Sequence, residues 1–392
     1  MKSILETLSK ANIEKLSDYL DDSNFDKYFP KIRSLLSSES DDIEKNKFWN
    51  RGSLNNIAYN RHVKVNHKII KIFYRAGLIK ELEYIINNDG IISSDELYNK
   101  NQKGNLIDII VKKLNTDKKD EIKDIIKDIS IMKPSRAGVS LGNCEILLRF
   151  ILKDSIEISK GDVSLKDNKS LEVKCFRNEN NKESSGFSPK GQFDMKSLKD
   201  SIKEMCKKLP IKEENRKSVY EKDTEYTLGS KNNRLYELFN KEGILTVEGD
   251  NIKIINKEKF IDALILIQSE LYNIDTYDNI TLYDSIEKLL KNETYKISEI
   301  KKMVNNIFMC LQLYFYVLKE KNDYIILIYF NNDRLDSSDK ITESKSNFNY
   351  IMFKEEDLLD FENVLKYINI KSAPGNGDRH KTFEINANKN ML

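Results

Sequence analysis

An unbroken apolar run, DYIILIYF at residues 323–330, constrains the fold of this chain more than any other segment. A short run of isoleucine, leucine and aromatic residues predicts a buried β-strand, because both of its faces are apolar. A strongly apolar helix is predicted just before it, at 299–319, and strands at 348–353 and 381–386 follow with a helix at 355–367 between them. This part of the chain therefore predicts a mixed central sheet flanked by helices.

The N-terminal third has a different pattern. Residues 1–135 repeat apolar side chains every three or four positions, which is typical of amphipathic helices. We expect helices at 4–20, 63–87 and 105–131. Ser93, followed at the third position by Glu96, predicts a further helix start. The segment from Lys133 to Gly138, which contains Pro134, ends the helical region.

The chain is therefore predicted to be an α+β protein. Its regions are an all-helical N-terminal region at 1–135, the first part of a core at 136–209, a mostly helical insertion at 210–298, and the second part of the core with the C-terminal strands at 299–392. With 39% hydrophobic and 33% charged residues, the chain has enough apolar material for folded domains and too much for a disordered protein.

Charge and cysteine content limit the classes of function. The formal net charge is only +2, so nucleic-acid binding has to come from local patches. The four cysteines (Cys144, Cys175, Cys206 and Cys310) form no CxxC pair, which argues against a zinc site or a disulfide framework. No signal peptide or apolar stretch of about 18 residues is present, so we expect a cytoplasmic protein without a membrane span.

The chemically informative segment is residues 140–176. A helix predicted at 140–152 carries Glu145, and short strands are predicted at 156–159, 162–165 and 171–176. Glu172 and Lys174 are two residues apart, so a strand places both side chains on one face and Val173 on the other, towards a core.

The register of the hairpin decides whether Asp162 joins that face. A loop of three residues at 167–169, or a bulge, would pair 162 with 174 and 164 with 172, and would place the side chains together. A loop of two residues at 167–168 would pair 162 with 173 and would place Asp162 on the opposite face. The sequence leaves both registers open.

A cluster of Asp162, Glu172 and Lys174 has the chemistry needed for phosphodiester hydrolysis. The two carboxylates and the Val173 carbonyl are hard oxygen ligands of the kind that Mg²⁺ prefers. Lys174 would act as a base through its neutral amine, or its ammonium group would orient the attacking water or stabilise the transition state. Glu145, from the preceding helix, would bind a second ion or hold a water molecule.

The order Glu145, then Gly161-Asp162, then Glu172-Val173-Lys174 resembles the active-site motif of the PD-(D/E)XK nuclease superfamily, with Gly-Asp in place of Pro-Asp. The resemblance implies a restriction-endonuclease-like core and a Mg²⁺-dependent DNA endonuclease in which Mn²⁺ can substitute. The overall arrangement, a helical N-terminal region followed by these motifs, is similar to nucleases encoded by large tailed phages and to some restriction enzymes. The resemblance implies DNA as a partner, together with phage structural proteins or a second copy of the chain. If a phage encodes the chain, the resemblance implies a location in the virion.

Other residues are candidate DNA contacts. Gln312 and Tyr316 form a Q-x-x-x-Y pattern that resembles a motif of RecB-like superfamily members, although it lies much farther from Lys174 than in those proteins. Lys190, in a polar loop, is placed to guide a DNA backbone. The alternatives are core residues at 312 and 316 and a loop without a role at 190.

Structural alternatives exist for the acidic residues as well. Glu-x-Lys also occurs on ordinary solvated hairpins, and Glu145 can form an exposed helical pair with Arg149. The alternative function is a phage virion or neck protein that keeps a nuclease-like fold with little or no activity. A third reading is a restriction enzyme that reads base sequence with residues 177–300.

Overall fold

The computed structural model describes most of the chain beyond residue 68. The described residues are 69, 72–73, 76–88, 90–98, 103–130, 144–155, 162–179, 195–220, 234–332, 348–372 and 384–388. The helix predicted at 4–20, the strand predicted at 156–159, the Pro134 segment and Lys190 lie outside these residues.

The described residues form helices and strands in alternating groups. The α-helices are α1 (Ile79–Asn87), α2 (Ser94–Leu97), α3 (Leu106–Leu114), α4 (Lys119–Ser130), α5 (Glu145–Ile151), α6 (Met195–Lys208), α7 (Glu213–Tyr220), α8 (Arg234–Lys241), α9 (Lys257–Tyr272), α10 (Asn279–Leu289), α11 (Ile297–Glu320) and α12 (Phe361–Tyr367). The strands are β1 (Gly104–Asn105), β2 (Val163–Ser164), β3 (Ser170–Glu179), β4 (Leu245–Glu248), β5 (Asn251–Ile254), β6 (Thr294–Lys296), β7 (Tyr324–Asn332), β8 (Phe348–Lys354), β9 (Ile368–Ser372) and β10 (Glu384–Ala387).

The chain divides into two compact units. Unit 1 consists of Met1–Glu183 and Asn322–Met352, and unit 2 consists of Ser184–Lys321 and Phe353–Leu392. Each unit therefore contains two separate stretches of sequence, and the units begin and end at other residues than the four regions predicted from sequence.

Unit 1 contains a mixed sheet of five strands in the order β1-β8-β7-β3-β2. β3 is parallel to β7, whereas β2 is antiparallel to β3 and β1 is antiparallel to β8. The first residues fix the register of the parallel pair: Asp323 accepts the Ser170 N–H on its carboxylate at 2.8 Å, and its own N–H donates to the Ser170 carbonyl at 3.1 Å. The prediction of an α+β protein with a mixed sheet is confirmed.

The predicted buried strand is β7. Its residues Ile325, Ile326, Leu327 and Ile328 are completely buried, so both faces of the strand are covered. Ile326 and Ile328 pack with Leu171 and Val173 in a core to which α1, α3, α4 and α5 also contribute. An apolar run with no polar face thus becomes a central strand.

Polar residues set the ends of the helices in unit 1. Ser93 caps α2, and Glu96 completes a capping box, as predicted. The single helix predicted at 105–131 is wrong in its middle. Asn115 takes a left-handed conformation (φ 51°) and ends α3, so α4 begins anew at Lys119. Similarly, the helix predicted at 355–367 is divided into a 3₁₀ turn, Glu355–Leu359, and α12.

At Gly90, the backbone of the α1–α2 connection lies close to the backbone at the end of α5. Ile91 N–H donates to the Ile151 carbonyl at 2.7 Å, and Lys153 N–H donates to the Ile92 carbonyl at 2.9 Å. Gly90 has a φ of +130°, and a Cβ there would lie 2.8 Å from Ile151 O. Only glycine fits such a position without strain.

Gly90→Ala should therefore lower the free energy of unfolding by about 3 kcal/mol, because the backbone has to shift and a strained φ is retained. Chemical denaturation measures the effect. Gly249→Ala is the matched control, since Gly249 also has a positive φ but nothing lies within 4 Å of its Cβ position. Equal losses in both variants would show that the close contact is unimportant.

Unit 2 contains a hairpin around residue 249, formed by β4 and β5, with β6 as a third strand. It also contains the long apolar helix α11 and the two-stranded β9–β10 sheet. Over the described part of the chain, no helix has the length and apolarity needed to cross a membrane.

Candidate active site

The β2–β3 hairpin carries the predicted catalytic residues. Asp162 lies immediately before β2, and Glu172 and Lys174 lie on β3. Val173 is buried in the core of unit 1, as predicted, so its two neighbours project from the other face of the strand.

The register of the hairpin differs from the two registers expected for a loop at 167–168 or at 167–169. Asp167 and Asn168 both have positive φ angles (59° and 58°), which is typical of a two-residue turn. Leu165 N–H, however, donates to the Lys169 carbonyl at 2.8 Å, so Lys166 is an extra residue in its strand. As a result Val163 lies opposite Leu171 and Ser164 lies opposite Ser170.

The predicted pairing of 162 with 174 and of 164 with 172 is therefore wrong by two residues. A shift by two residues leaves the side chains on the same face, because the side-chain period of a strand is two. Asp162 thus lies on the face of Glu172 and Lys174, as the chemistry requires.

One ammonium group joins the two carboxylates. Lys174 Nζ donates to Glu172 Oε1 and lies 3.8 Å from Asp162 Oδ2. Asp162 Oδ2 also accepts the Val173 N–H at 2.9 Å. The N–H and C=O of one strand residue point to the same side of the strand, so the Val173 carbonyl is directed towards Asp162. Three of the predicted oxygen ligands therefore converge at one edge of the sheet.

Helix α5 adds two buried charged residues to this edge. Arg149 donates a hydrogen bond to the Asp162 carbonyl, which holds the start of β2 against the helix. Glu145 lies close enough to Lys174 to raise the pKa of its ammonium group. Glu145 and Arg149 are 6% and 4% exposed, so the alternative of an exposed helical ion pair is wrong.

The pKa shifts describe a site with strong internal charge coupling. Burial raises the pKa of Asp162; Lys174 opposes the shift and Glu172 adds to it, and the pKa stays above its usual value. Burial alone would lower the pKa of Lys174, but Asp162 and Glu172 outweigh it, and the pKa is raised. Lys174 is therefore a protonated cation, whereas ionised Asp162 would be stabilised by further positive charge.

Asn322, which the sequence did not single out, completes the surroundings of Glu172. Its Nδ2 donates to Glu172 Oε2 at 3.0 Å, and the side chain is 2% exposed. Its Oδ1 is buried with no hydrogen-bond partner among the described residues. The residue lies 150 positions from Glu172 in sequence, directly before β7. Its place next to the predicted buried strand was the one signal available.

The remaining predicted residues are not part of this cluster. Gln312 and Tyr316 are buried residues of α11 in unit 2, whereas Asp162, Glu172 and Lys174 belong to unit 1. Lys190 lies outside the described residues. Their proposed contacts with DNA stay predictions.

Two further findings bear on the site. Within the described ranges, no group of three or more histidine, cysteine or acidic side chains is arranged to hold a metal ion. Comparison of the chain with protein-family models, with curated proteins and with solved structures found no match.

Proposed function

We propose that this chain is a metal-dependent DNA endonuclease with a PD-(D/E)XK type of active site in a restriction-endonuclease-like core. The observation that carries the proposal is the convergence of the Asp162 and Glu172 carboxylates on the Lys174 ammonium group at the open edge of β3. An acidic pair, an adjacent backbone carbonyl and a half-buried cation are groups that suit phosphodiester hydrolysis.

The oxygen donors suit a hard divalent cation. Asp162 and Glu172 would hold Mg²⁺ or Mn²⁺ together with the Val173 carbonyl, and the unpartnered Asn322 Oδ1 is a further oxygen nearby. The pKa of the half-buried Asp162 carboxyl is raised by burial, and a bound cation would stabilise its ionised form. When bound, the ion supplies positive charge to the phosphate and activates water.

The chain's own residues would perform three tasks. Lys174 would orient the attacking water, act as its base or stabilise negative charge on the phosphate. Arg149 would hold the Asp162 backbone in place from α5. Glu145, buried beside Lys174, would help to keep the ammonium group charged.

Incubation of plasmid DNA with the purified chain tests the proposal. Cleavage should occur with Mg²⁺ or Mn²⁺ and should disappear in EDTA. Linear and single-stranded DNA in parallel reactions show whether cutting needs an end or a duplex. Absence of cutting on every substrate with either ion would refute the proposed activity.

Asn322→Leu should reduce metal-stimulated cleavage by about 10- to 100-fold, because Glu172 loses the amide that orients its second oxygen. Initial rates on plasmid DNA measure the loss. Asn349→Leu is the matched control, because Asn349 is a buried asparagine of β8 that bonds to Asn105. If Asn322→Leu and Asn349→Leu lose the same fraction of their activity, and the loss follows their loss of stability, the role assigned to Asn322 is wrong.

A second candidate is a phage virion or neck protein that keeps this fold without cutting DNA. One observation favours it: both Glu172 oxygens are already bonded, to Lys174 and to Asn322. An ion at Glu172 would then compete with the Lys174 ammonium group for Oε1. Co-purification with capsid or portal proteins, combined with no metal-stimulated cutting, would identify this function.

A further inference from the structure

Unit 2 contains a cavity of about 630 Å³ between the first half of α11 and the α12–β9 segment. Small-molecule sites commonly occupy roughly 300–1,000 Å³, so the volume suits a ligand of moderate size. The α11 wall presents Lys301, Lys302 and Asn305, and the opposite wall presents Leu365, Ile370 and Asn369. The cavity lies within unit 2 and shares no residue with the carboxylate cluster of unit 1.

The polar wall follows from the helical repeat. Positions 298, 301, 302 and 305 are three or four residues apart, so they share one face of α11. The later part of the same helix is almost entirely buried and apolar, from Ile307 to Val317. The helix therefore changes from a polar, lysine-bearing face at the cavity to a core helix farther on.

The charge of the cavity selects an anion. Among the described residues that line it, two are lysines and none is acidic. Neither Lys301 nor Lys302 takes part in an ion pair with the described part of the chain. Two adjacent ammonium groups without carboxylate partners are suited to a phosphate group.

The other lining residues favour a ligand that has a hydrogen-bond donor and an apolar part in addition to a phosphate group. Asn305 has a buried Oδ1 without a hydrogen-bond partner in the described residues, and such an acceptor is costly unless a ligand donor reaches it. Leu365 and Ile370 are partly exposed and provide an aliphatic surface opposite. Amide groups read the edge of a base, and apolar side chains contact its face.

We propose that this cavity binds a nucleotide, with the phosphate at Lys301 and Lys302 and the base between Asn305 and the aliphatic wall. A lipid would leave the amides unused, and a sugar phosphate would leave the aliphatic wall unused. The nucleotide is either free or an unpaired residue of single-stranded nucleic acid. This inference goes beyond the nuclease proposal and does not depend on it.

Fluorescence anisotropy in EDTA tests the inference without any hydrolysis. The probe is a short fluorescein-labelled oligodeoxythymidylate, and dTMP, thymidine and inorganic phosphate serve as competitors. The double variant K301A/K302A should weaken oligonucleotide binding at least about tenfold, and should reduce the slope of log affinity against log salt by about 1.4. The control K207A/K208A removes the same charge from adjacent lysines of α6 that are paired with Glu204 and Glu270, and should bind as wild type does.

Asn305→Leu separates binding from folding. It should weaken oligonucleotide binding about tenfold while the melting temperature stays equal or rises, because an unpartnered buried acceptor is removed. Competition by dTMP but not by thymidine or phosphate supports a site for a free nucleotide. Oligonucleotide binding that dTMP does not displace, but that K301A/K302A weakens, supports recognition within a strand. Equal competition by phosphate and dTMP, or equal binding by K301A/K302A and K207A/K208A, overturns the proposal.

Discussion

Lys174→Met should reduce Mg²⁺-dependent plasmid cleavage by about a thousandfold. The ammonium group of Lys174 contacts both carboxylates of the cluster. Methionine keeps most of the side-chain volume but removes the charge, so water and phosphate would lose their positive partner. Initial rates over a range of Mg²⁺ concentrations distinguish a loss of catalysis from a loss of metal affinity.

Lys169→Met is the matched control for this variant. Lys169 belongs to the same hairpin, but its ammonium group lies near Asp95, at 3.8 Å, and over the Tyr324 ring. It should retain cleavage within a factor of about two. If Lys174→Met keeps full activity, or if both variants lose it equally, the role of Lys174 in the reaction is wrong.

Ile326→Ala should lower the free energy of unfolding of unit 1 by about 4 kcal/mol. Ile326 is completely buried in β7, opposite Val173, and truncation would leave a cavity in the core that supports the catalytic strand. A loss of this size should lower the melting temperature of unit 1 by about 10 °C. Calorimetry of the full chain measures it.

Ile280→Ala provides the same chemical change on the surface, since Ile280 is 78% exposed on α10. Its effect should stay below about 0.5 kcal/mol. Similar effects of the two substitutions would contradict the assignment of β7 as the central strand.

The main elements of the fold could be predicted because their patterns are local. The apolar run that forms β7 and the capping box at Ser93 depend on neighbouring residues alone. The break at Asn115 was missed, although residues 115–121 (NTDKKDE) carry no apolar side chain, and Asn115 in the left-handed conformation ends the helix. The division into two units could not be predicted from the sequence, because it depends on contacts between segments that are distant along the chain.

The face of Asp162 could be predicted only as one of two alternatives. Which alternative is correct depends on whether the hairpin loop has an odd or an even number of residues. The sequence does not show whether Lys166 is an extra residue in its strand. In the structure, the hydrogen bond from the Leu165 N–H to the Lys169 carbonyl shows that Lys166 is such an extra residue. Asn322 was not predictable as a partner of Glu172, because a single asparagine in an asparagine-rich chain has no pattern and its contact spans 150 positions.

Titration of the metal-free chain with Mn²⁺, followed by the electron paramagnetic resonance signal of the free ion, tests whether Asp162 and Glu172 share a cation. Wild-type protein should bind Mn²⁺, and Asp162→Asn and Glu172→Gln should each weaken binding at least about tenfold while remaining folded. Wild-type protein that leaves all Mn²⁺ free, or variants that bind it as tightly as wild type, would contradict the existence of a metal site between these carboxylates.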